Sequence, residues 1–253
     1  MLFTDNPAIA IEDLADYETA ILDTAQAEAL NLTVKIGLAI NEVGLQLQSR
    51  FTPLAVNGLT AATPLTLANI VVTPPLRLWI LFHTLELVYR DAYFSQLNDR
   101  YQAKWTEYKT LSDAAASLLF QIGVGTVADP ILQAVHPKLS LVAGSLAPAK
   151  YFIEVSWLNV TGQEGAPSEM TALDVTAGNT LQVQALSPPP NAISWNVYAG
   201  ILPGALTLQN TAPLDRSVSW TAFNSGLSTT GQPPGTGQPP AYLRPQPRIL
   251  LRG

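Results

Sequence analysis

The hydrophobic pattern of the chain changes its period once, near residue 145. Before that point apolar residues recur at steps of three and four, the period of amphipathic α-helices. After it apolar and polar residues alternate, the period of half-buried β-strands. We therefore predict a multidomain α + β protein, with an N-terminal α-helical bundle over residues 1–137 and a C-terminal antiparallel β-sandwich over residues 138–225. Residues 226–253 are rich in proline and glycine, which predicts an extended C-terminal arm.

Two segments carry the helical pattern. Residues 11–50 repeat apolar side chains on one side and acidic ones on the other, and a break can be placed near Asn31. Residues 76–120 form the stronger block, which Gly123 and Gly125 end as a helix stop. We expect both apolar stripes to be too broad for one copy of the chain to hide, so that identical copies cover one another.

The strand pattern consists of short alternating runs separated by turn residues. The predicted strands are residues 139–142, 151–160, 171–175, 180–186, 194–198, 206–209 and 217–221. Short strands with regularly spaced turn signals are typical of a β-sandwich. We expect Trp157, Trp195 and Tyr198 to lie in its core.

Composition excludes several kinds of protein. The chain has no cysteine, which rules out a disulfide framework and cysteine-based zinc sites. We expect no secretory signal, and no apolar run approaches the length of a membrane span. The net charge of −6 argues against nucleic-acid recognition by a basic patch. Charged residues make up only 13% of the chain, which is expected if much of its surface contacts other subunits.

The charges are unevenly distributed along the chain. Residues 1–34 contain seven acidic residues and no lysine or arginine, whereas residues 226–253 contain three arginines and no acid. This asymmetry indicates that the two ends meet different neighbours. The plainer interpretation, a solvated helix face and a loose tail, remains open.

No constellation of residues indicates catalysis. The two histidines, His83 and His136, are far apart in sequence and make a poor metal site without cysteine. The glycines at 123 and 125 lack the Gly-Lys-Ser/Thr ending of a phosphate loop. Carboxylate pairs such as Glu12 and Asp16 are interpreted as a solvated face, although a hydrolase using paired carboxylates is kept as an alternative. We predict no catalytic, cofactor-binding or metal-ligating residue, and no enzyme activity.

An aromatic and arginine-rich cluster lies between residues 89 and 109. Acids balance bases within it, so a protein interface is favoured over a nucleic-acid surface. The candidate interface residues are Tyr89, Arg90, Tyr93, Arg100, Tyr101 and Trp105.

The helical region resembles the head–tail adaptor, or connector, proteins of tailed bacteriophages and prophages. The resemblance is carried by Ile70–Trp79 (IVVTPPLRLW), Leu85–Tyr93 (LELVYRDAY), Gln96–Trp105 (QLNDRYQAKW) and Gly123–Pro130 (GVGTVADP). The segments Trp157–Ser168 (WLNVTGQEGAPS) and Trp195–Gly200 (WNVYAG) resemble the fibronectin- or immunoglobulin-like domains that phages append to virion proteins. The likeness spans roughly residues 10–225 and includes no diagnostic catalytic motif.

The resemblance implies a structural virion protein located in the neck of the particle and assembled in the cytoplasm of the host bacterium. Family members form a ring, commonly of twelve copies, between the portal protein and the tail or nozzle protein. The ring surrounds the channel through which DNA passes without sequence-specific binding. Acidic residues facing that channel would repel phosphate, and the candidates are Asp13, Asp16, Glu18 and Asp23.

The resemblance also implies roles for the C-terminal regions. Arms that dock on neighbouring subunits are common in such assemblies, and the candidate arm residues are Tyr242, Arg244, Arg248, Ile249, Leu250, Leu251 and Arg252. The β-sandwich would sit outside the ring, bracing tail components such as fibres or touching carbohydrate on the host. The alternative function is a tail-fibre anchor or a module that binds a glycan or receptor. No cofactor and no membrane partner are expected.

Overall fold

The computed structural model of the protein describes residues 1–5, 7–51, 66–96 and 99–244. Helices occupy the N-terminal part of the described chain and antiparallel strands occupy the C-terminal part, which confirms the mixed α + β class. By its internal contacts the chain divides into two units. The helical unit consists of Phe3–Val127 and Pro240–Gly253, and the β-rich unit consists of Met1–Leu2 and Ala128–Pro239.

This division differs from the predicted boundaries at residues 137/138 and 225/226. Ile131 and Ala134 precede the first predicted strand, but both are buried in the core of the β-rich unit. The first part of the predicted arm also belongs to that unit, where buried Gln238 accepts a hydrogen bond from the Ile131 amide at 2.7 Å. Side-chain hydrogen bonds and packing between distant segments, which no local pattern reveals, set these limits.

The described residues of the helical unit form five α-helices. Their bounds are α1 Ile11–Tyr17, α2 Ile21–Ala27, α3 Leu32–Phe51, α4 Pro74–Gln96 and α5 Gln102–Ile122. Short 3₁₀ turns occur at Leu67–Asn69 and Asp99–Tyr101. The predicted break near Asn31 is confirmed, because the Asn31 side chain accepts a hydrogen bond from the Val34 amide at 3.1 Å and caps the start of α3.

Helix α4 is the centre of the helical unit. It runs antiparallel to α3, since Lys35 pairs with Asp91 and Glu42 with His83. It also runs antiparallel to α5, as the contacts of Trp79 with Phe120 and of Tyr89 with Tyr108 require. Because α4 packs against both neighbours, its apolar residues such as Leu85 and Val88 are buried. The predicted apolar residues of α3, such as Ile36 and Val43, are buried in the same cluster. The expectation that these stripes need a second copy for cover is therefore wrong for α3 and α4.

A short β-ribbon closes the helical unit after α5. Gly123 ends the helix with φ of 112°, a conformation that favours glycine, as the sequence predicts. Strand β1 (Val124–Thr126) follows at once and pairs antiparallel with the last strand of the chain, Ala241–Leu243. A Cβ at Gly125 would lie 2.7 Å from a Thr73 methyl group, so this approach needs glycine.

Two antiparallel sheets form the β-rich unit. The strands are β2 Lys138–Ala143, β3 Ala149–Asn159, β4 Thr171–Val175, β5 Asn179–Gln184, β6 Ala192–Gly200, β7 Thr207–Leu208, β8 Leu214–Asp215 and β9 Trp220–Thr221, and Ala241–Leu243 in the helical unit is β10. One sheet has the order β2-β5-β9, and the other has the order β4-β3-β6-β7 with β8 also paired to β6. Each predicted strand is present in part, and β8 was not predicted.

One buried apolar cluster takes residues from both sheets. At its centre Trp157 on β3 lies directly opposite Trp195 on β6, and both are almost completely buried. Tyr198 is also buried, but it lies outside this cluster and its hydroxyl donates a hydrogen bond to Glu164 at 2.6 Å. Among the residues that the structure describes, no helix is both long enough and apolar enough to cross a membrane.

Candidate interaction surfaces of the helical unit

The predicted aromatic interface divides into an internal part and an external part. Tyr89 and Tyr101 are buried, and Tyr89 stacks on Tyr108 with ring centroids 5.5 Å apart. Burial, reinforced by the negative charge of Glu18, raises the pKa of Tyr89 above its ordinary value. These two predicted residues thus contribute to the core of the single chain.

The external part is an aromatic patch where α4 ends and α5 begins. Tyr93 and Trp105 stack at 5.7 Å, and Phe94 meets the Trp105 ring edge-on at 5.5 Å. Phe94 is 57% exposed and is not one of the predicted interface residues, although its position beside Tyr93 in the sequence was a signal. Arg90 is half-exposed and Arg100 exposed, so the outer residues of the predicted interface do occupy one end of the helix pair.

Glu18 joins the first two helices to α5. This buried carboxylate accepts hydrogen bonds from the Tyr108 hydroxyl at 2.7 Å and from Lys104 Nζ at 2.8 Å. Burial alone would raise the pKa of Glu18, but the bonds from Lys104 and Tyr108 outweigh it and hold the pKa below its ordinary value. Tyr108 shows the opposite response, because burial and the carboxylate both raise its pKa.

Glu28 makes a second link, from the residue after α2. Its carboxylate accepts hydrogen bonds from the Tyr101 hydroxyl at 2.9 Å and the Ser95 hydroxyl at 3.1 Å. Arg100 lies 3.7 Å from the same carboxylate and covers the Tyr101 ring. The acidic start of the chain is therefore partly neutralised by basic residues of its own helical unit, which the charge asymmetry in sequence does not reveal.

The four acids predicted to face a channel have different environments. Asp13 accepts a hydrogen bond from Arg77 at 2.6 Å and from the Ala10 amide at 2.8 Å, where it caps α1. Glu18 is buried, as described above. Asp16 and Asp23 are exposed on α1 and α2. Of the four predicted acids, only Asp16 and Asp23 therefore have exposed carboxylates.

His83 clamps α3 to α4. Its Nε2 lies 2.7 Å from a Glu42 carboxylate oxygen and its Nδ1 lies 3.0 Å from Glu86. Because carboxylates only accept hydrogen bonds, the arrangement requires both ring nitrogens to carry protons. Burial alone would lower the pKa of His83, but the bonds to Glu86 and Glu42 outweigh it and raise the pKa. The buried imidazole thus links α3 to α4 through two carboxylates.

The outer face of α3 is apolar and almost uncharged. Val34, Leu38 and Leu45 are exposed at helical spacing, and we call this row the α3 stripe. The other exposed residues of α3, which the structure describes in full, are Thr33, Gly37, Asn41, Gln46, Gln48, Ser49 and Arg50. Arg50, at the end of the helix, is the one charged residue among these, and the Glu42 side chain, which pairs with His83, is 45% exposed. A solvated helix face normally carries more charge than this.

Helix α5 carries a second exposed row. Leu111, Ala114, Leu118 and Ile122 recur at steps of three and four, and we call this row the α5 stripe. Its beginning is flanked by the exposed pair Lys109 and Asp113, whose charged atoms are 3.0 Å apart. The helical unit therefore has two distinct apolar surfaces, on helices that both pack against α4.

The predicted docking arm is only partly described. Tyr242 lies in β10 with an exposed side chain, and the Arg244 guanidinium donates a hydrogen bond to the Ile122 carbonyl at the end of α5, at 3.2 Å. This part of the arm is thus held by its own chain. The other predicted arm residues, Arg248, Ile249, Leu250, Leu251 and Arg252, lie outside the described residues.

The described residues contain no group of three or more histidine, aspartate or glutamate side chains that could hold a metal ion. His136, in the β-rich unit, lies 3.2 Å from Glu169 on the surface. No family model matches this chain, and no curated protein matches its sequence.

Proposed function

We propose that the protein is a structural subunit of a phage head–tail adaptor, forming a ring between portal and tail around the DNA channel. The observation that carries the proposal is the nearly uncharged α3 stripe on an otherwise well-packed helical unit. Surfaces of this kind mark protein interfaces. The separate α5 stripe adds a second, different apolar surface on the same unit.

Two different surfaces suit a ring better than a symmetric dimer. An isologous contact needs one patch that matches itself, whereas a head-to-tail contact needs two patches that match each other. A head-to-tail contact repeated by rotation closes into a ring. The two stripes meet this requirement and support the ring, which the resemblance to adaptor proteins expects to contain twelve copies.

The exposed aromatic patch supports a second contact, with the portal or a tail protein. Aromatic residues with arginine at the edge are typical of the residues that dominate binding energy in interfaces. Tyr93, Phe94 and Trp105 would fill a pocket on the partner, with Arg90 and Arg100 at the rim. Asp16 and Asp23 are the candidates left to face the channel and repel DNA phosphates.

We also propose that the β-rich unit is a β-sandwich of the fibronectin or immunoglobulin kind. The apolar cluster shared by both sheets supports this architecture, because sandwiches bury the inner faces of two sheets together. The resemblance assigns such domains an external position on virion proteins. An experimental structure with the sheets packed about 10 Å apart would test the architecture.

The ring can be tested by co-expressing the full chain with the portal protein of the same genome and imaging the purified complex. We expect closed rings stacked on the portal, with this chain in the virion neck. A complex in which the chain is a monomer, or in which it occurs only in fibres as a trimer, would contradict the adaptor proposal.

An apolar cleft in the β-rich unit favours the alternative function of a tail-fibre anchor. The cleft has a volume of about 600 Å³ and is lined mainly by apolar residues, including Ile201, Leu202, Leu206 and Leu227. Such a lining suits a protein segment better than a sugar, which needs convergent polar groups. If the anchor alternative holds, Leu202→Ser should release fibres from particles whose necks remain intact.

A further inference from the structure

The two stripes of the helical unit have matching lengths. The α3 stripe runs from Val34 to Leu45 and the α5 stripe runs from Leu111 to Ile122. Each covers eleven residue steps, or about 16 Å at the rise of an α-helix. A second copy of the chain therefore offers each stripe a counterpart that can cover it from end to end.

The directions of the helices restrict how two copies can meet in a ring. Because α3 and α5 both run antiparallel to α4, they run parallel to each other within one chain. Neighbours in a twelve-membered ring are related by a rotation of about 30°. After so small a rotation, α3 of one copy remains nearly parallel to α5 of the next, and an antiparallel contact is excluded.

The charges beside the stripes differ between the two directions. In a parallel alignment Val34 of one copy lies beside Leu111 of the next. Asp113 then lies beside residue 36, one residue step along the helix from Lys35. When the stripes are aligned antiparallel, Asp113 comes within one residue of the height of Glu42. Asp113 and Glu42 have side chains 71% and 45% exposed, so the antiparallel arrangement places two accessible carboxylates together. It also brings exposed Arg50 within one residue of the height of Glu107. The small rotation between ring neighbours, and not the charges, therefore sets the direction.

We propose that α3 of one copy docks on α5 of the next copy, parallel and in register, so that the α3 stripe covers the α5 stripe around the ring. This pairing rests on the proposed ring function and specifies its subunit contact. Leu45 of one copy would lie beside Ile122 of the next, and Val34 would lie beside Leu111. Lys35, which pairs with Asp91 in its own chain, would then also approach Asp113 of the neighbour.

Disulfide trapping tests this contact directly, because the chain has no cysteine of its own. The test variant is Leu45→Cys/Ile122→Cys, whose thiols meet only in the parallel register. The matched control is Leu45→Cys/Leu111→Cys, whose thiols meet only in the antiparallel register. The single variant Leu45→Cys detects a symmetric contact of α3 with α3. All are made in the full chain, co-expressed with its portal protein and oxidised.

The expected result is a ladder of cross-linked multimers on a non-reducing gel for Leu45→Cys/Ile122→Cys alone. A ladder is required because each copy in a head-to-tail contact is linked to two neighbours. A ladder for Leu45→Cys/Leu111→Cys, or dimers for the single variant, would overturn the proposal. If microscopy shows rings but the test pair does not cross-link, this contact is overturned and the adaptor function stands. If the wild-type chain forms no rings, the function itself is overturned.

Discussion

The helical unit and the β-rich unit both bury a large apolar cluster, but they treat charge in opposite ways. The helical unit joins its helices through ion pairs and buried carboxylates, such as Glu18 with Lys104 and Glu42 with His83. The outer face of one of these helices, α3, nevertheless carries little charge.

The β-rich unit instead satisfies its buried polar groups largely with amides and hydroxyls. Buried Asn210, for example, accepts a hydrogen bond from the Val197 amide at 2.9 Å and donates one to the Asn196 side chain at 2.9 Å. Glu164 is the exception, since it accepts hydrogen bonds from the hydroxyls of Ser156 and Tyr198.

This difference indicates how each unit should respond to its surroundings. Contacts made by titratable groups depend on pH, whereas contacts among amides and apolar residues do not. A nearly uncharged outer face such as that of α3 favours association with other copies, whereas isolated exposed apolar residues are ordinary on any protein surface. We expect the helical unit to be the part that responds to pH and assembles, and the β-rich unit to be a stable appendage.

The largest expected effect is on the core of the β-rich unit. Trp195→Ala should lower the free energy of unfolding by about 3–5 kcal/mol, since it leaves a cavity in a close-packed core. It also removes the hydrogen bond from the indole nitrogen to the Asp215 carbonyl, at 3.1 Å. Urea unfolding followed by circular dichroism measures the loss, with exposed Val218→Ala as the control. A loss below about 1 kcal/mol would mean that this core is not closely packed.

A smaller but pH-dependent effect is expected at the link between α1 and α5. Glu18→Gln should cost about 1–3 kcal/mol, because it leaves buried hydrogen-bond donors without a charged acceptor. The pKa of Glu18 is lower in the folded protein, so its contribution is present above the ordinary glutamate pKa and is lost as pH falls through the folded value. Unfolding measured between neutral and acidic pH should therefore show wild type and variant converging in acid, and a constant difference would contradict this assignment.

The clamp at His83 should show the opposite dependence on pH. Its pKa is raised by Glu86 and Glu42, so its stabilisation is fully present below the ordinary histidine pKa and is lost as pH rises through the folded value. His83→Gln should cost about 1 kcal/mol in mild acid and progressively less at alkaline pH. Titration of the His83 ring protons by NMR measures the pKa. A His83 pKa at or below the ordinary histidine value would contradict the clamp.

The features that could be predicted from the sequence are those set by residues close together along the chain, such as the repeat of apolar side chains. On β3, Ile153, Val155 and Trp157 alternate with Glu154 and Ser156, and all three belong to the apolar cluster, as the period of a half-buried strand predicts. The break near Asn31 follows from the capping chemistry of its side chain, which is also local. Both predictions required only neighbours along the chain.

Features that depend on distant segments could not be predicted in this way. Glu18 and exposed Asp16 are both acids in the same acidic N-terminal segment, so the sequence does not distinguish them. Glu18 is buried because it contacts Tyr108 on another helix. Strand β10 lies in a proline-rich segment and forms because β1 offers it an edge. The apolar residues of α4 recur as the sequence predicts, but α3 and α5 cover them within one chain.

A substitution in the α3 stripe should have the smallest effect on stability but a large effect on assembly. Leu45→Lys should change the free energy of unfolding by less than about 0.5 kcal/mol, because Leu45 is 66% exposed and no core contact is lost. It should nevertheless abolish ring formation with the portal, since a lysine there would be buried without a partner in the proposed contact. Val160→Lys is the matched control, an apolar residue of the β-rich unit that is 75% exposed, and it should assemble normally. Equal assembly of the two variants, measured by microscopy of the complexes, would show that the α3 stripe is an ordinary surface and that the contrast between the two units does not extend to assembly.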